Sequence, residues 1–311
     1  MDPAFDLMWR QYRGWAMRAA GIRSNLDRWR LITLGLTVGG ALVATLASQL
    51  PSGANDVLSV ARVLSLVSAA SMAAASWTAR TMLDPMREKQ WIRARALAER
   101  AKSESYRYAT HSAPYDGPDG AKKLFARIDA LTSEGQDVPP CDLTDEEASR
   151  NKPASTLSVE DYAVIRVEQE ITGFFEPNAA ANERHGILCT RAVQTLSLLS
   201  ALLAVIGASM RGMNGEAWVA VLSTVSASIG SYAMAKRYQR LAATYRLAAE
   251  RLRRRKAEWE FAKTSDGDPA ADESFVSDAE NILNGENQTW ATDFLTQATA
   301  TPKPVATGDT V

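Results

Sequence analysis

Cysteine and histidine are nearly missing from this chain, which has two of each: Cys141 and Cys189, His111 and His185. The cysteines are far apart and in different contexts. They can build neither a disulfide framework nor a Cys-x-x-Cys metal pair, which suits a reducing compartment. Zinc would have to be held mostly by carboxylates, an uncommon arrangement, so no metal and no cofactor is expected. Net charge is also nearly missing, −1 from 35 basic and 36 acidic residues, so nothing global draws the chain to nucleic acid. No Gly-x-x-x-x-Gly-Lys-Ser/Thr loop, Gly-x-Gly-x-x-Gly fingerprint, His-Glu-x-x-His or Gly-x-Ser-x-Gly occurs. The acid pair Glu146/Glu147 lies in a linker-like stretch where nothing excludes water. These absences argue against an enzyme. The first thirty residues lack an apolar core ending in a cleavage site and carry Trp9, Trp15, Trp29 and several arginines, unlike a signal peptide.

What is present is an uneven distribution of apolar residues. Four blocks hold most of them: Leu31–Leu50 without a charge, Val57–Ala79 with only Arg62, Ala192–Met210 without a charge, and Ala217–Ala235 without a charge. A bilayer core of about 30 Å needs roughly 20 apolar helical residues. Soluble amphipathic helices show a charged face every third or fourth residue, and these blocks show none. They read as spans paired into hairpins by the turns at 51–56 and 211–216. Basic residues flank the outer ends of each pair: Arg18, Arg23, Arg28 and Arg30; Arg80, Arg87, Lys89 and Arg93; Arg184 and Arg191; Lys236, Arg237 and Arg240. The turns contain only Arg211, so both should face outward, with the tails and the middle segment in the cytoplasm. The spans hold no acidic residue, so proton-coupled transport has no obvious carrier.

The two halves share a plan of aromatic, basic lead-in, hairpin and charged helix. Arg95-Ala96-Leu97-Ala98-Glu99-Arg100 matches Arg246-Leu247-Ala248-Ala249-Glu250-Arg251, and in step Tyr108 falls opposite Trp259. The fold class is therefore an all-α membrane protein, with two transmembrane helical hairpins, each flanked by cytoplasmic amphipathic helices, as an internal duplication. The first copy covers 1–110, with spans at about 31–50 and 57–79. A connector at 111–158 contains a short helix, 121–134, then a proline-bearing linker. The second copy covers 159–297, with spans at about 192–210 and 217–235, and a disordered tail follows at 298–311. The first post-hairpin helix is expected over about 85–110. The second is expected to run on from the fourth span without a break to about Lys263, and a last helix to cover about 272–297.

A hairpin followed by a helix with an Arg-x-x-Ala-Glu core and a terminal aromatic resembles the SLATT family, the SMODS and SLOG-associating two-transmembrane effector domains. The stretch from Tyr162 through Arg166 to Gln169 resembles that family's lead-in. Trp15 and Phe175, each followed four residues on by alanine (Ala19, Ala179), look like its aromatic step. Phe275, Val276, Glu280, Glu286 and Trp290 resemble its closing helix. The resemblance spans about residues 9–293 as a tandem pair. It implies a bacterial inner-membrane effector of a conflict or antiphage defence system. Such an effector would be an oligomer that forms a pore or disrupts the membrane, held inactive by its cytoplasmic helices. A nucleotide-signalling or sensor partner would act in trans, because no such domain is attached. The alternatives are a non-conducting membrane anchor that recruits a cytosolic partner, and a small regulated ion channel.

Several residues carry two readings. Arg62 either snorkels to the outer headgroups or lines a pore mouth, where an arginine ring would favour anions. Arg62, Ser65, Ala69, Met72 and Ser76 share one face of the second span, as Ser223, Ala227, Gly230 and Met234 do on the fourth. Such stripes line water or pack helices, and packing is the simpler account. Gly35, Gly39, Gly40 and Ala44 form a small-residue stripe suited to close helix approach. Four spans enclose too little space for an ample channel, so a pore needs several copies. The cluster Arg251, Arg253, Arg254, Arg255 and Lys256 either binds an anionic ligand or lipid, or is a solvated helix face with Arg254 and Arg255 beside Glu250 and Glu258. Tyr106, Tyr108, Trp91, Trp259 and Trp290 read as packing anchors more readily than as platforms for a nucleobase.

Overall fold

The structure, a computed structural model, describes residues 2–50, 59–209, 215–265 and 269–299, with side chains in the last helix described through residue 285. The turn at 51–56, residues 211–214 of the second turn and residues 300–311 of the tail lie outside the described residues, while 215–216 belong to the helix of the fourth span and 298–299 extend the last helix into the expected tail. Among the described residues every regular element is helical. In chain order these are α1 (Pro3–Gln49), α2 (Val60–Thr81), α3 (Pro85–Ala109), α4 (Gly120–Glu134), α5 (Asp145–Ser149) and α6 (Val159–Tyr162). Two π-helical segments follow (Ala163–Glu168 and Ile171–Phe175), then α7 (Glu176–Ser209), α8 (Gly215–Lys236), α9 (Tyr238–Ser265) and α10 (Pro269–Thr299). Four helical stretches are long and apolar enough to cross a membrane, and only 6–17% of each apolar window is buried within the chain. Leu31, Leu66, Val205 and Met234 are among the large side chains left exposed, at 55%, 71%, 67% and 79%. Water does not tolerate that much uncovered apolar surface, but a bilayer does. The chain is a multi-pass all-α membrane protein with two hairpins.

The chain divides into two compact units that cut across the repeat. A span unit contains 24–84 and 171–249, and a bundle unit contains 1–23, 85–170 and 250–311. In the span unit, hydroxyls stitch each hairpin together. Ser68 Oγ donates to the Gly40 carbonyl at 2.8 Å, and Thr33 and Thr78 hydroxyls meet at 3.0 Å. Ser200 and Ser223 meet at 3.3 Å, and Ser197 and Ser226 at 3.4 Å. In the bundle unit, a run of ring contacts crosses five elements: Phe5 to Trp9 to Tyr106 to Tyr162 to Phe275 to Trp259, with centroids 6.2, 6.1, 5.9, 6.0 and 4.6 Å apart. Each such pair adds about 0.5–1.5 kcal/mol beyond its area burial.

Three local features differ from the sequence expectation. The fourth span does not run on into α9. Arg237, at φ 52°, breaks the helix: its N–H donates to the Ala233 and Met234 carbonyls while Leu241 N–H starts α9 on the Arg237 carbonyl. This is a left-handed helix cap made without glycine. The second span ends at the corresponding place, where Met82 N–H closes onto Thr78 and Pro85 starts α3. The lead-in at 159–175 starts as expected, with Ser158 Oγ accepting from Asp161 N–H, but then widens into π-helix. The linker at 135–158 is packed onto α1. Trp15 Nε1 donates to the Val138 carbonyl at 3.0 Å, Cys141 N–H to the Gly14 carbonyl at 3.2 Å, and Arg10 to the Leu143 carbonyl at 3.2 Å. A Cβ on Gly14 would stand 2.7 Å from Pro140 Cβ, so this approach needs glycine. Thr144 and Glu147 close a capping box that starts α5.

Candidate functional site

The most unusual chemistry lies in the bundle unit, on the first π-helical segment. Arg166 is 1% exposed and Glu280, on α10, is 0% exposed. The guanidinium grips the carboxylate with two bonds, Nε to Oε1 at 2.9 Å and Nη2 to Oε2 at 3.1 Å. The Tyr162 hydroxyl donates to Oε1 at 3.0 Å. Arg166 Nη1 reaches Glu170 at 3.3 Å, Lys102 Nζ donates to the same Glu170 oxygen at 2.9 Å, and Glu99 stands 3.9 Å from Arg166. The Tyr106 ring lies 5.0 Å from the guanidinium carbon.

Burial opposes charge on Glu170, but the Lys102 ammonium and the Arg166 guanidinium outweigh it and hold the carboxyl below its usual range. Burial and Arg166 also act against the Lys102 ammonium. Glu170, Tyr12 and Glu99 more than offset them, leaving it above the ordinary lysine value. Burial drives the Tyr162 phenol well upward, with Glu280 adding to the shift, so it stays a donor. The site is a charge clasp: Glu280, Glu170 and Glu99 each stand beside a cation. Asn284 to Ser103 (3.0 Å) and Arg107 to Asn281 (3.1 Å) fasten α10 to α3 on the same side. The π-helical segment sets Arg166 on a widened turn, the kind of bulge often kept where a side chain has a special task.

Arg166 and Glu280 were legible only as parts of family-like stretches. Glu170 and Lys102 were missed, because nothing in the sequence marks a pair 68 positions apart.

In the span unit, the predicted stripe on α2 does not face α1. The face turned inward carries Ala61, Ser68, Ala75 and Thr78, all buried. Arg62, Ser65, Ala69, Met72 and Ser76 lie on the exposed side, with Ser65 Oγ satisfied by the Ala61 carbonyl and Met72 at the border against Gly40. Of the predicted packing positions on α1, Gly40 alone meets α2: a Cβ there would stand 3.2 Å from Met72 and 3.3 Å from Ser71. Gly35 and Gly39 open onto free space within the chain and Ala44 is exposed, so their small size is not used inside the hairpin. On α8, Ser223 bonds Ser200, Met234 is exposed, and Gly230 meets nothing within 4 Å. Ala227 lines a cleft of about 440 Å³ whose walls carry Thr33, Thr37, Thr224, Ser228 and Ser231, with Arg30 also on its lining.

The predicted helix motif is used unequally by the two copies. Glu99 faces Arg166, whereas Glu250 is exposed and Arg246 bonds Glu183 at 2.7 Å. Arg95 lies within the field of Glu170. Tyr108 is buried, its hydroxyl bonds Asp2, and burial with that bond pushes its phenol up to about 12. Trp259 stacks on Phe275 and donates to Asp272 at 2.7 Å. Trp91 packs with Ala19, Ala94 and Val138. Trp290 and Glu286 lie outside the described side chains.

The basic cluster is dispersed around α9. Arg254 pairs with Glu258 at 2.8 Å, and Lys256 with Glu168 at 3.1 Å and Glu260 at 3.5 Å. Arg255 turns away from Glu250 and Glu258 to bond Asp278 at 2.8 Å and Ser274 at 2.5 Å on α10. Arg251 and Arg253 are exposed. Helical rotation of 100° per residue sends consecutive arginines to different neighbours.

Comparison with known families divides the chain along the repeat. Residues 162–290 match the SMODS and SLOG-associating 2TM effector domain 1, and residues 11–123 match a family described as a protein of unknown function (DUF4231). Neither a curated relative nor a solved structure matches. The effector-domain match begins at Tyr162, takes in Arg166, Glu170 and Glu280, and encloses the second hairpin. The second half of the chain, residues 162–290, is thus similar to the SLATT two-transmembrane effector domain, and the first half repeats its hairpin plan.

Proposed function

We propose that the protein is a pore-forming or membrane-disrupting effector of a bacterial conflict or antiphage system, working as a homo-oligomer gated by its bundle unit. The carrying observation is the face of α2 that holds Arg62, Ser65 and Ser76 and is turned away from its own hairpin partner. A polar, charged face on a membrane span calls for cover from further copies or for a wet lining. The hydroxyl-walled cleft beside α8 offers a second polar surface at the Arg30 end of the spans. On this reading the protein resides in the inner membrane with both termini cytoplasmic, as the distribution of arginine and lysine suggests. It uses no cofactor, performs no catalysis, and receives its signal from a nucleotide-signalling or sensor protein in trans.

The clasp supplies the gate: α10 is held through Glu280, and loosening it frees the helices that restrain the spans. Ion flux from liposomes tests this. Glu280→Gln, which keeps the shape but removes the charge, is expected to raise leak over wild type, and expression of that variant to slow growth. Arg62→Glu is expected to shift the anion/cation ratio. No flux from wild type or Glu280→Gln, with the oligomer intact, would leave a membrane scaffold that recruits a cytosolic partner. Flux without toxicity would favour a small regulated channel.

A further inference from the structure

Where the chain turns from α3 into α4, three cations converge on one open cleft of about 460 Å³. Arg107 comes from the last turn of α3, and Lys123 and Arg127 from α4, with Tyr115 between the helices. The lining holds one carboxylate, Glu104, and it is already engaged. It accepts Arg127 Nε at 2.8 Å through one oxygen and the Tyr115 hydroxyl at 2.8 Å through the other. Burial and Glu104 drive the Tyr115 phenol upward, so it keeps its proton and remains a donor to Glu104.

The cations retain donors to offer. Lys123 Nζ gives one hydrogen to the Pro114 carbonyl at 2.6 Å, and an ammonium has two more. Arg107 Nη2 donates to Asn281 Oδ1 at 3.1 Å, while Arg107 Nε is buried and has no hydrogen-bond partner. A charged guanidinium with a buried unpaired N–H is a costly arrangement unless an acceptor comes to it. Three cations against one carboxylate leave the lining at +2 by formal count (3 − 1). Ala126, on the α4 side, adds little bulk to the cleft.

The complement of this surface is compact, multiply negative and rich in acceptor oxygens. Phosphoryl groups meet all three demands, because arginine forks and lysine ammonium groups both bind them through short charge-assisted bonds. A cleft of about 460 Å³ with three cations on its lining has room for more than one phosphoryl group. We propose that the cleft binds a small molecule carrying a di- or triphosphate group, with Arg107, Lys123 and Arg127 on its oxygens. The site is separate from the α9 cluster, where Arg254 and Arg255 pair with Glu258 and Asp278. Arg107 also holds Asn281, so occupancy that orders Arg107 steadies α10 as well, and by linkage a docked α10 strengthens binding.

The test uses the full chain in phosphatidylcholine nanodiscs, titrated with inorganic pyrophosphate and triphosphate at fixed ionic strength and followed by calorimetry. One saturable site is expected. Lys123→Gln, at an exposed position that should leave the fold intact, and Arg107→Gln are each expected to weaken binding at least tenfold. Arg254→Gln, on an 83% exposed side chain of α9, is expected to leave it unchanged. Hydrogen exchange around Asn281 should slow on binding. The proposal fails if neither probe binds, if sulfate or orthophosphate binds as tightly, or if Lys123→Gln binds like wild type. Conduction plays no part in these readouts, so failure of the pore reading would leave the outcome standing.

Discussion

Between the two spans of the first hairpin the bridging groups are neutral hydroxyls, Ser68 on the Gly40 carbonyl and Thr33 on Thr78, and the span unit's ion pairs, Lys236 with Asp27 and Arg246 with Glu183, lie toward the span ends. In the bundle unit, a guanidinium and a carboxylate are taken wholly out of solvent, and the ring contacts run past them. The contrast follows from what surrounds each unit. A hydroxyl in hydrocarbon can satisfy itself on its own or a neighbouring backbone, and each interhelical bond is worth about 0.6 kcal/mol on average. A buried charge can be satisfied only by an opposite charge placed for it, and removing one partner costs about 3–5 kcal/mol. Span packing is therefore dispersed and tolerant, whereas the bundle concentrates its vulnerability at Arg166 and Glu280.

The largest expected effect breaks the clasp. Arg166→Met should destabilise the bundle unit by about 3–5 kcal/mol, since Glu280 would be left buried without its cation. At about 2–4 °C per kcal/mol for a unit of this size, its melting point should fall by roughly 10 °C. Hydrogen exchange in nanodiscs reads the two units apart. Protection should be lost from α10 and 159–175 and kept in α2 and α8. Arg166→Met/Glu280→Leu should recover more than half of the loss, because apolar residues of similar volume need no counter-charge. If the spans lost protection in parallel, the contrast between the units would be wrong.

A smaller effect concerns pH. Glu170 is held below its ordinary value of 4.5, so the stability it contributes is complete above that value and is lost as pH falls through the lower folded value. Lys102 is held above its ordinary 10.5, so its contribution is complete below that value and is lost as pH rises through the higher folded value. The bundle should therefore hold a broad plateau through neutrality and loosen first at the acid end. Glu170→Gln should flatten the acid limb. The hydroxyl bonds between the spans carry no titrating group, so protection across Ser68 and Ser200 should show neither limb.

The spans were legible because composition alone reports the solvent of a membrane helix. Some 20 residues without a charge admit few other readings, and the structure leaves those windows uncovered as a bilayer requires. The bundle was legible in its parts and not in its assembly. The pairing of Arg166 with Glu280 joins positions 114 apart, and no local pattern fixes such a contact. The break at Arg237 was illegible for a different reason. A left-handed cap usually announces itself by glycine, and here an arginine adopts it. The stripe on α2 shows a third case. Periodicity identified a face, but helical neighbours one step around, Ala61, Ser68, Ala75 and Thr78, form an equally small face, and only packing shows that these meet α1.

The smallest effect separates contacts within a hairpin from contacts between copies. Gly40 lies against Met72 and Ser71, while Gly35 and Gly39 open onto free space in the chain. Gly40→Ala needs Met72 to give by a few tenths of an ångström, which its flexible side chain can do, and the Ser71 Cβ to give as much, which moves α2 slightly, so a cost of about 1 kcal/mol is expected. Gly40→Leu should part α1 from α2 and is read by loss of hydrogen-exchange protection across Ser68. A Cβ at Gly39 meets nothing within 4 Å, so Gly39→Leu should leave hairpin protection unchanged. If copies assemble through the Gly35/Gly39 face, the same substitution should lower the assembly mass in native-like nanodiscs, because a GxxxG contact depends on close backbone approach. A mass unchanged by Gly39→Leu and reduced by substitutions on the Ser65/Ala69/Ser76 face would instead put the contact between copies on α2. Uncovered small residues would then be lipid-facing on the first span and buried between copies on the second.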